Sequence, residues 1–192
     1  MTDTLNVITI CGSLRKGSYN AMLANSLPAL APAGMTVSAS PPIGTMPLYN
    51  LDLQNESGFP APVGVLGDAI RAADGVVIVT PEYNYSVPGV LKNAIDWLSR
   101  LPNQPFIAKP VAIQSASPSV LGGARAQYHL RQMLVFLDAF VFNKPEIMVT
   151  MINRKVDEAR GEIADEPTRD IVRQQLAGFG KFIARVAAKS SA

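Results

Sequence analysis

Residues 5–20 read LNVITICGSLRKGSYN, a nearly unbroken apolar run that passes directly into a polar loop containing Gly12 and Gly17. Such a run is typical of a strand buried on both faces, as the strands of parallel sheets are. Serine and asparagine, which lie at the end of the stretch, are favoured residues at helix starts. The stretch therefore predicts a strand, a loop and a helix, the opening unit of a sheet covered by helices on both faces.

The rest of the chain repeats this alternation. We predict five strands, at residues 5–11, 35–38, 75–80, 111–115 and 147–149. Helical patterns occupy residues 20–30, 63–73, 87–100 and 124–140, and an apolar stripe from Val172 to Val186 predicts a last helix. Five strands, each followed by a helix, are typical of an α/β, flavodoxin-like three-layer sandwich with the parallel strand order 2-1-3-4-5.

Composition restricts the classes of function. The 192 residues are enough for one domain with a buried core, so we predict a single domain over residues 1–192. The net charge of +2, with no block of like charges, argues against nucleic-acid binding. Because no signal peptide or membrane span is recognisable, we expect a cytoplasmic protein without a membrane partner.

Cysteine and histidine, two residue types that often carry chemistry, each occur once. Cys11 is the single cysteine, so no paired-cysteine redox centre exists within the chain. His129 is the single histidine and falls inside a predicted helix, which argues against a Ser-His-Asp triad and against a histidine metal cluster. We therefore predict no catalytic side chain and no metal site, and any electron chemistry must come from a cofactor.

The loop after the first strand has the features of a phosphate site. Ser13, Ser18 and Asn20 offer neutral donors and Arg15 offers a charged, planar one, beside a helix start whose N–H groups and dipole favour an anion. The loop lacks the lysine of the NTPase loop and the glycine pattern of the dinucleotide fingerprint. We favour a monophosphate ester, and the alternative is a polar turn that only caps the helix.

A second polar loop follows the third strand and reads PEYNYSVPG at residues 81–89. In the strand order given above, this loop and residues 12–20 follow neighbouring strands and face each other across one cleft. Backbone amides from Pro81 to Asn84 can hydrogen-bond a heterocycle, and Tyr83 or Tyr85 can pack against its ring. The alternative is a proline-rich turn whose tyrosines are surface anchors.

Taken together, residues 12–20 and 81–97 closely resemble the NADPH-dependent FMN reductase family, and within it the bacterial quinone and chromate reductases. Residues 115–118 and 122–127 resemble the loop after the fourth strand of that family, and residues 46–50 resemble its lid segment. The resemblance extends over nearly the whole chain.

The resemblance implies FMN as the cofactor and NADPH or NADH as the electron donor. Hydride would pass through the flavin to a quinone, a free flavin, an azo compound or an oxyanion such as chromate. The cofactor-binding residues that it implies, together with their loop neighbours, are Ser13, Arg15, Gly17, Ser18, Tyr19, Asn20, Leu48, Tyr49, Pro81, Glu82, Tyr83, Asn84, Ser115 and Ser117. Two other interpretations stay open: a flavodoxin-type electron carrier without a nucleotide substrate, and a phosphate-binding regulatory module without flavin.

Two further stretches carry expectations. Residues 130–142 are apolar nearly all round the predicted helix, so both of its faces need cover, from a second subunit or from a buried position that runs straight into a strand. The resemblance implies a homodimer or homotetramer, with Arg125, Tyr128 and Glu146 as interface residues. Residues 39–62 show no periodic pattern and predict a long connection at the carboxyl edge of the sheet.

Overall fold

The structure, a computed structural model, describes residues 4–190, with side chains up to residue 188. The strands of this part of the chain are β1 (Leu5–Cys11), β2 (Met35–Ala39), β3 (Gly75–Val79), β4 (Pro110–Ala116), β5 (Phe140–Val141), β6 (Ile147–Val149), β7 (Val156–Asp157) and β8 (Glu162–Ile163). Its helices are α1 (Tyr19–Leu30), α2 (Leu51–Ser57), α3 (Ala61–Ala72), α4 (Gly89–Leu98), α5 (Ala124–Phe136) and α6 (Glu166–Ser190). Strands and helices alternate from β1 to β5, as the sequence predicts, except that the additional helix α2 precedes α3.

The main sheet is parallel and has the order β2-β1-β3-β4-β5, which confirms the predicted fold class and strand order. The predicted count of five strands is wrong, because the edge beside β4 is divided. β5 pairs with the start of β4, where Pro110 lies opposite Phe140, and β6 pairs with its end, where Gln114 lies opposite Ile147. Pro145 lies between the two short strands, and proline has no N–H for a ladder hydrogen bond.

Apolar side chains cover both faces of the sheet. Along β3, Val76 and Ile78 pack in one cluster with α3, α4 and α5, whereas Val77 and Val79 pack in the other with α1 and α6. All four side chains are fully buried, as the alternation of a central strand in a three-layer sandwich requires. The core therefore fixes the positions of β1, β3 and β4, and with them the points at which the loops at their carboxyl ends begin.

Three local features differ from expectation. The connection at residues 39–62 contains α2, which buries no residue and so has no apolar stripe to reveal it; Asn50 caps it by accepting a hydrogen bond from the Asp52 N–H at 2.9 Å. α5 ends at Phe136 because Asp138 takes a positive φ of 53° before β5 begins. An antiparallel hairpin, β7–β8, packs on α1, where the Ile163 N–H donates to the Ser26 hydroxyl at 2.9 Å. No helix among residues 4–190 is long and apolar enough to cross a membrane.

Candidate functional site

The loops after β1 and β3 emerge side by side at the carboxyl edge of the sheet. Cys11 pairs with Val79, and the Gly12 N–H donates to the Val79 carbonyl at 2.8 Å. A Cβ on Gly12 would lie only 2.9 Å from the Thr80 hydroxyl oxygen, so glycine permits this close approach. The prediction that the two loops face each other across one cleft is confirmed.

A cavity of about 370 Å³ lies between these loops and the loop after β4. This volume falls within the range of about 300–1,000 Å³ that is usual for small-molecule sites. Its walls are Ser13, Arg15, Ser18, Tyr19, Asn20, Pro81, Glu82, Tyr83, Ala116, Ser117 and Pro118. The structure thus brings together most of the residues that the sequence predicts for the cofactor site, whereas Gly17, Leu48, Tyr49, Asn84 and Ser115 lie outside the walls of this cavity.

The first loop forms an anion cradle. Ser18 caps α1, because its hydroxyl accepts a hydrogen bond from the Ala21 N–H at 3.3 Å, which leaves the N–H groups of Tyr19 and Asn20 open at the helix start. The Arg15 guanidinium lies 5.2 Å from the centre of the Tyr19 ring and has no ion-pair partner within residues 4–190. A positive side chain and open helix N–H groups therefore point to an anionic ligand here.

Gly17 and Asn20 shape this cradle. Gly17 has a φ of 65°, a left-handed conformation that glycine adopts without strain. The Asn20 amide donates to the Ala116 carbonyl and accepts from the Ala116 N–H, both at 2.9 Å. Because its amide oxygen and nitrogen are both engaged, Asn20 connects α1 to the end of β4 and thereby fixes the distance between the loop after β1 and the loop after β4.

The second loop is a tight turn. Tyr83 and Ser86 exchange two backbone hydrogen bonds, at 2.9 and 3.0 Å, around Asn84 and Tyr85. Asn84 and Tyr85 have φ values of 49° and 66°, the signature of a type I′ turn. Asparagine tolerates this conformation, but a tyrosine there is strained and needs outside support. The Arg125 guanidinium, 3.9 Å from the centre of the Tyr85 ring, supplies that support.

Glu82 has a role that its position in the sequence does not reveal. α5 begins after Gly123, which has no side chain to cap it. The Glu82 carboxylate replaces this cap, accepting from the N–H groups of Arg125 at 3.0 Å and of Ala126 at 3.2 Å. The Arg125 Nη1 atom also lies 3.4 Å from Glu82 Oε1. Glu82 thus joins the second loop to the start of α5.

Ser115 is fully buried beneath the third loop. Its hydroxyl donates to the Gly122 carbonyl at 2.6 Å and accepts from the Gln127 amide at 2.8 Å. A Cβ on Gly123 would lie 2.8 Å from Ser115, so this glycine allows α5 to begin directly above β4. Ser115 therefore holds the loop after β4 from below, and Ser117 is the serine of this loop that lines the cavity.

A second recess of about 370 Å³ adjoins the first and shares Glu82 and Ser117 with it. Asn84, Tyr85 and Arg125 line this recess together with residues 119–121 of the loop after β4. Leu121, Val120 and Tyr85 are exposed apolar side chains at its border. The two cavities thus lie side by side and together make up the cleft, with the anion cradle in the first and apolar side chains at the border of the second.

Leu48 and Tyr49 belong to a segment that α4 holds. The Trp97 indole N–H donates to the Pro47 carbonyl at 2.8 Å, and the Tyr49 N–H donates to the Asn93 side chain at 2.8 Å. The Tyr49 ring meets the Trp97 ring edge to face at 5.0 Å, and the Leu48 side chain is 83% exposed. The segment is thus held against α4, and neither Leu48 nor Tyr49 lines the two cavities.

The single cysteine and the single histidine lie at the margins of this region. Burial raises the pKa of the Cys11 thiol, which disfavours a reactive thiolate. His129 Nδ1 lies 3.1 Å from the Ser86 hydroxyl at the end of the tight turn. Within residues 4–190, no group of three or more histidine, cysteine, aspartate or glutamate side chains could hold a metal ion.

Comparison with known proteins gives this cleft its context. A 62% identical match over 186 residues is a quinone reductase of Escherichia coli, aligned over 97% of this chain and 99% of that protein. An NAD(P)H-dependent FMN reductase of Pseudomonas aeruginosa is 47% identical over the same shares of the two chains. Among solved structures, a flavoenzyme NAD(P)H:(acceptor) oxidoreductase of Paracoccus denitrificans superposes with a TM-score of 0.84 at 35% identity, over 94% of this chain and 98% of the other.

The family model of the NADPH-dependent FMN reductases matches residues 5–154. This match begins at the first residue of β1 and includes the anion cradle, the tight turn and the loop after β4. Motif, fold and cleft geometry thus agree, and the chain belongs to the NADPH-dependent FMN reductase family.

Proposed function

We propose that this protein is an FMN-dependent NAD(P)H oxidoreductase that reduces quinones, with FMN in the cleft between the loops after β1, β3 and β4. The observation that carries the proposal is the adjacency of the two cavities, which share Glu82 and Ser117 and place the anion cradle at Arg15 beside the apolar border at Tyr85. FMN, when bound, supplies the hydride and electron transfer between NAD(P)H and the acceptor.

The donor set of the cleft fits FMN. The monophosphate of FMN needs positive charge and N–H groups, which Arg15 and the first turn of α1 provide. Among the described residues that line that cavity, Glu82 is the one acidic side chain. The Glu82 carboxylate is engaged by the start of α5, so it does not oppose the phosphate directly. A planar heterocycle needs rigid backbone donors and a ring to pack on. The tight turn leaves the N–H groups of Asn84 and Tyr85 for such a ligand, because those of Tyr83 and Ser86 bond each other's carbonyls, and the Tyr83 ring lines the cavity.

The residues divide into two groups by what they do. Ser13, Arg15 and the open N–H groups of α1 would hold the phosphate, and the backbone at residues 81–84 would hold the ring. Gly17, Asn20, Glu82 and Ser115 keep the three loops in register through the turn conformation and hydrogen bonds described above. This division supports the expectation that no side chain acts as a nucleophile, since the chain needs only to bind, orient and exclude water.

The second recess would take the planar part of the donor or acceptor. Its border presents Tyr85, Val120 and Leu121 to solvent, and its one cation is Arg125. An apolar border with one cation suits both a nicotinamide nucleotide and a neutral quinone, which would occupy the site in turn. Leu48, on the segment pinned to α4, would close over the ligand from the opposite side.

We further propose a homo-oligomer that covers the outer face of α5. Val135 and Phe136 are large apolar side chains, and Phe136 is 85% exposed. Exposure of adjacent large apolar residues on one helix marks an interaction surface. Tyr128 on the same helix is also exposed, which supports its assignment to the interface together with Arg125 and Glu146. Three points stay predictions: the choice between a dimer and a tetramer, the single-domain organisation, and the cytoplasmic location.

One experiment tests the function directly. The purified protein should show flavin absorption and should oxidise NADH or NADPH when given a quinone, and a panel with free flavin, an azo dye and chromate ranks the acceptors. A colourless protein that takes up no added FMN would refute the proposal. A yellow protein inert toward both nucleotides would favour the flavodoxin-type carrier.

A further inference from the structure

A third cavity, of about 340 Å³, lies between α1 and the sheet edge formed by β1 and β2. It shares no wall residue with the two cavities of the cofactor cleft. Buried Thr9 and Val37 form its floor, and exposed Asn25, Pro28 and Ser38 surround its mouth. The cavity is therefore a separate, open-mouthed space that the proposed function does not use.

The floor of this cavity has an unpartnered hydroxyl. Thr9 is 5% exposed, and its hydroxyl oxygen has no hydrogen-bond partner within residues 4–190. A buried hydroxyl without a partner destabilises the folded protein, so native proteins seldom leave one unmatched unless a ligand or water supplies the bond. A hydroxyl can donate or accept, and either kind of partner would satisfy Thr9.

The wall opposite Thr9 contains an irregularity in α1. Pro28 lies inside this helix and has no N–H, so the carbonyl of Ala24 lacks the donor that a regular helix would give it. Ala24 and Pro28 both line the cavity. A carbonyl only accepts, so a ligand that satisfies it must carry a donor.

The remaining walls restrict the ligand further. No charged side chain lines the cavity, so an anion or cation would be desolvated without compensation. Ala21, Val37 and Ala39 give apolar walls, and the volume lies near the lower limit of small-molecule sites, about 300 Å³. We propose that this cavity binds a small neutral phenol, with its ring between α1 and β2 and its hydroxyl between the Thr9 hydroxyl and the Ala24 carbonyl.

Hydroquinones belong to this chemical class, and they are what quinone reduction releases. That link rests on the proposed function, whereas phenol binding does not. The Cys11 thiol also lines the cavity and is the single cysteine of the chain, so its alkylation reports occupancy. Because burial raises the pKa of this thiol, the modification is followed at one fixed, mildly alkaline pH, where its rate is measurable.

The test uses the purified protein with its cofactor, N-ethylmaleimide as the thiol reagent and 4-methylphenol as the probe. Intact mass gives the rate of Cys11 modification, and saturation-transfer NMR on the probe measures binding independently of the thiol. We expect 4-methylphenol to slow modification in a saturable way and benzoate, a charged ring of similar size, to leave the rate unchanged. Equal protection by benzoate, or no saturable protection of Cys11 whether or not the probe shows NMR transfer, would overturn the assignment and leave water as the occupant.

Two variants locate the binding. Thr9→Val removes the hydroxyl at nearly constant shape and should raise the half-protecting probe concentration at least tenfold, while Thr36→Val, on the exposed side of β2, should not change it. An unchanged concentration in Thr9→Val would refute the proposal even if the probe binds. Quinone reduction is assayed separately in both variants, so a failure of the proposed function is distinguishable from a failure of this site.

Discussion

Replacing Glu82 tests whether one carboxylate connects the flavin loop to α5. Glu82→Ala removes the acceptor of two backbone N–H groups, those of Arg125 and Ala126, and the side chain is only 14% exposed, so water replaces it poorly. Loss of a helix cap costs about 0.5–2 kcal/mol. Loss of a negative charge at a helix start costs about a further 0.3–1 kcal/mol. We therefore expect the free energy of unfolding to fall by about 1–3 kcal/mol.

The assay is urea unfolding of the flavin-free protein, accompanied by fluorescence titration with FMN. Glu82→Gln keeps a carbonyl oxygen as acceptor and should lose only the charge contribution, about 0.3–1 kcal/mol. FMN affinity should fall more in the alanine variant than in the glutamine variant, because the turn at residues 83–86 loses its anchor. Glu56→Ala, at an exposed site on α2, is the matched control. If the unfolding free energy of Glu82→Ala lies within about 0.5 kcal/mol of the parent, the usual range for surface substitutions, the capping role is refuted.

Three other perturbations probe the cradle, α6 and the oligomer. Arg15→Ala should weaken FMN binding by about 1.5–3 kcal/mol, or about 10- to 150-fold in Kd. The control Lys16→Ala, which removes the neighbouring positive charge, should leave FMN binding unchanged. An equal loss in both variants would indicate a general charge effect rather than a phosphate contact at Arg15. Asp165 caps α6 by accepting from the Thr168 N–H at 3.0 Å, and the Thr168 hydroxyl holds the pKa of Asp165 below its ordinary value. Its stabilisation should therefore be complete above about pH 4 and disappear as the pH falls through the lowered pKa. Asp165→Ala should accordingly cost about 1 kcal/mol in urea unfolding at pH 7 and less near pH 3, and a pH-independent cost would contradict this. Phe136→Glu should lower the mass measured by light scattering, while Val65→Glu, 55% exposed on α3, should not; an unchanged mass would exclude the α5 face as the interface.

The features that the sequence predicted are those with local causes. β1 and β3 are continuous apolar runs, and the start of α1 has a serine cap beside the glycine turn, so strand, loop and helix follow from neighbouring residues. The features it missed depend on distant partners. Glu82 meets the start of α5 43 residues away, and Asn20 meets Ala116 96 residues away. No residue of α2 is fully buried, although Leu53 packs on the core, and β5 has two residues, so neither leaves a periodic signal.

Three of the bonds that fix the cleft connect a side chain to backbone atoms of a distant segment. Asn20 binds the backbone of Ala116, Glu82 binds the N–H groups at the start of α5, and Trp97 binds the Pro47 carbonyl. Backbone partners are present whatever side chain the partner residue carries. Asn20 and Glu82 line the cleft and also hold its loops together, so changes at either residue should weaken every ligand. Ser117 lines the cleft, and within residues 4–190 its hydroxyl has no hydrogen bond to another loop, so changes there can alter which ligand is preferred and leave the loops in place.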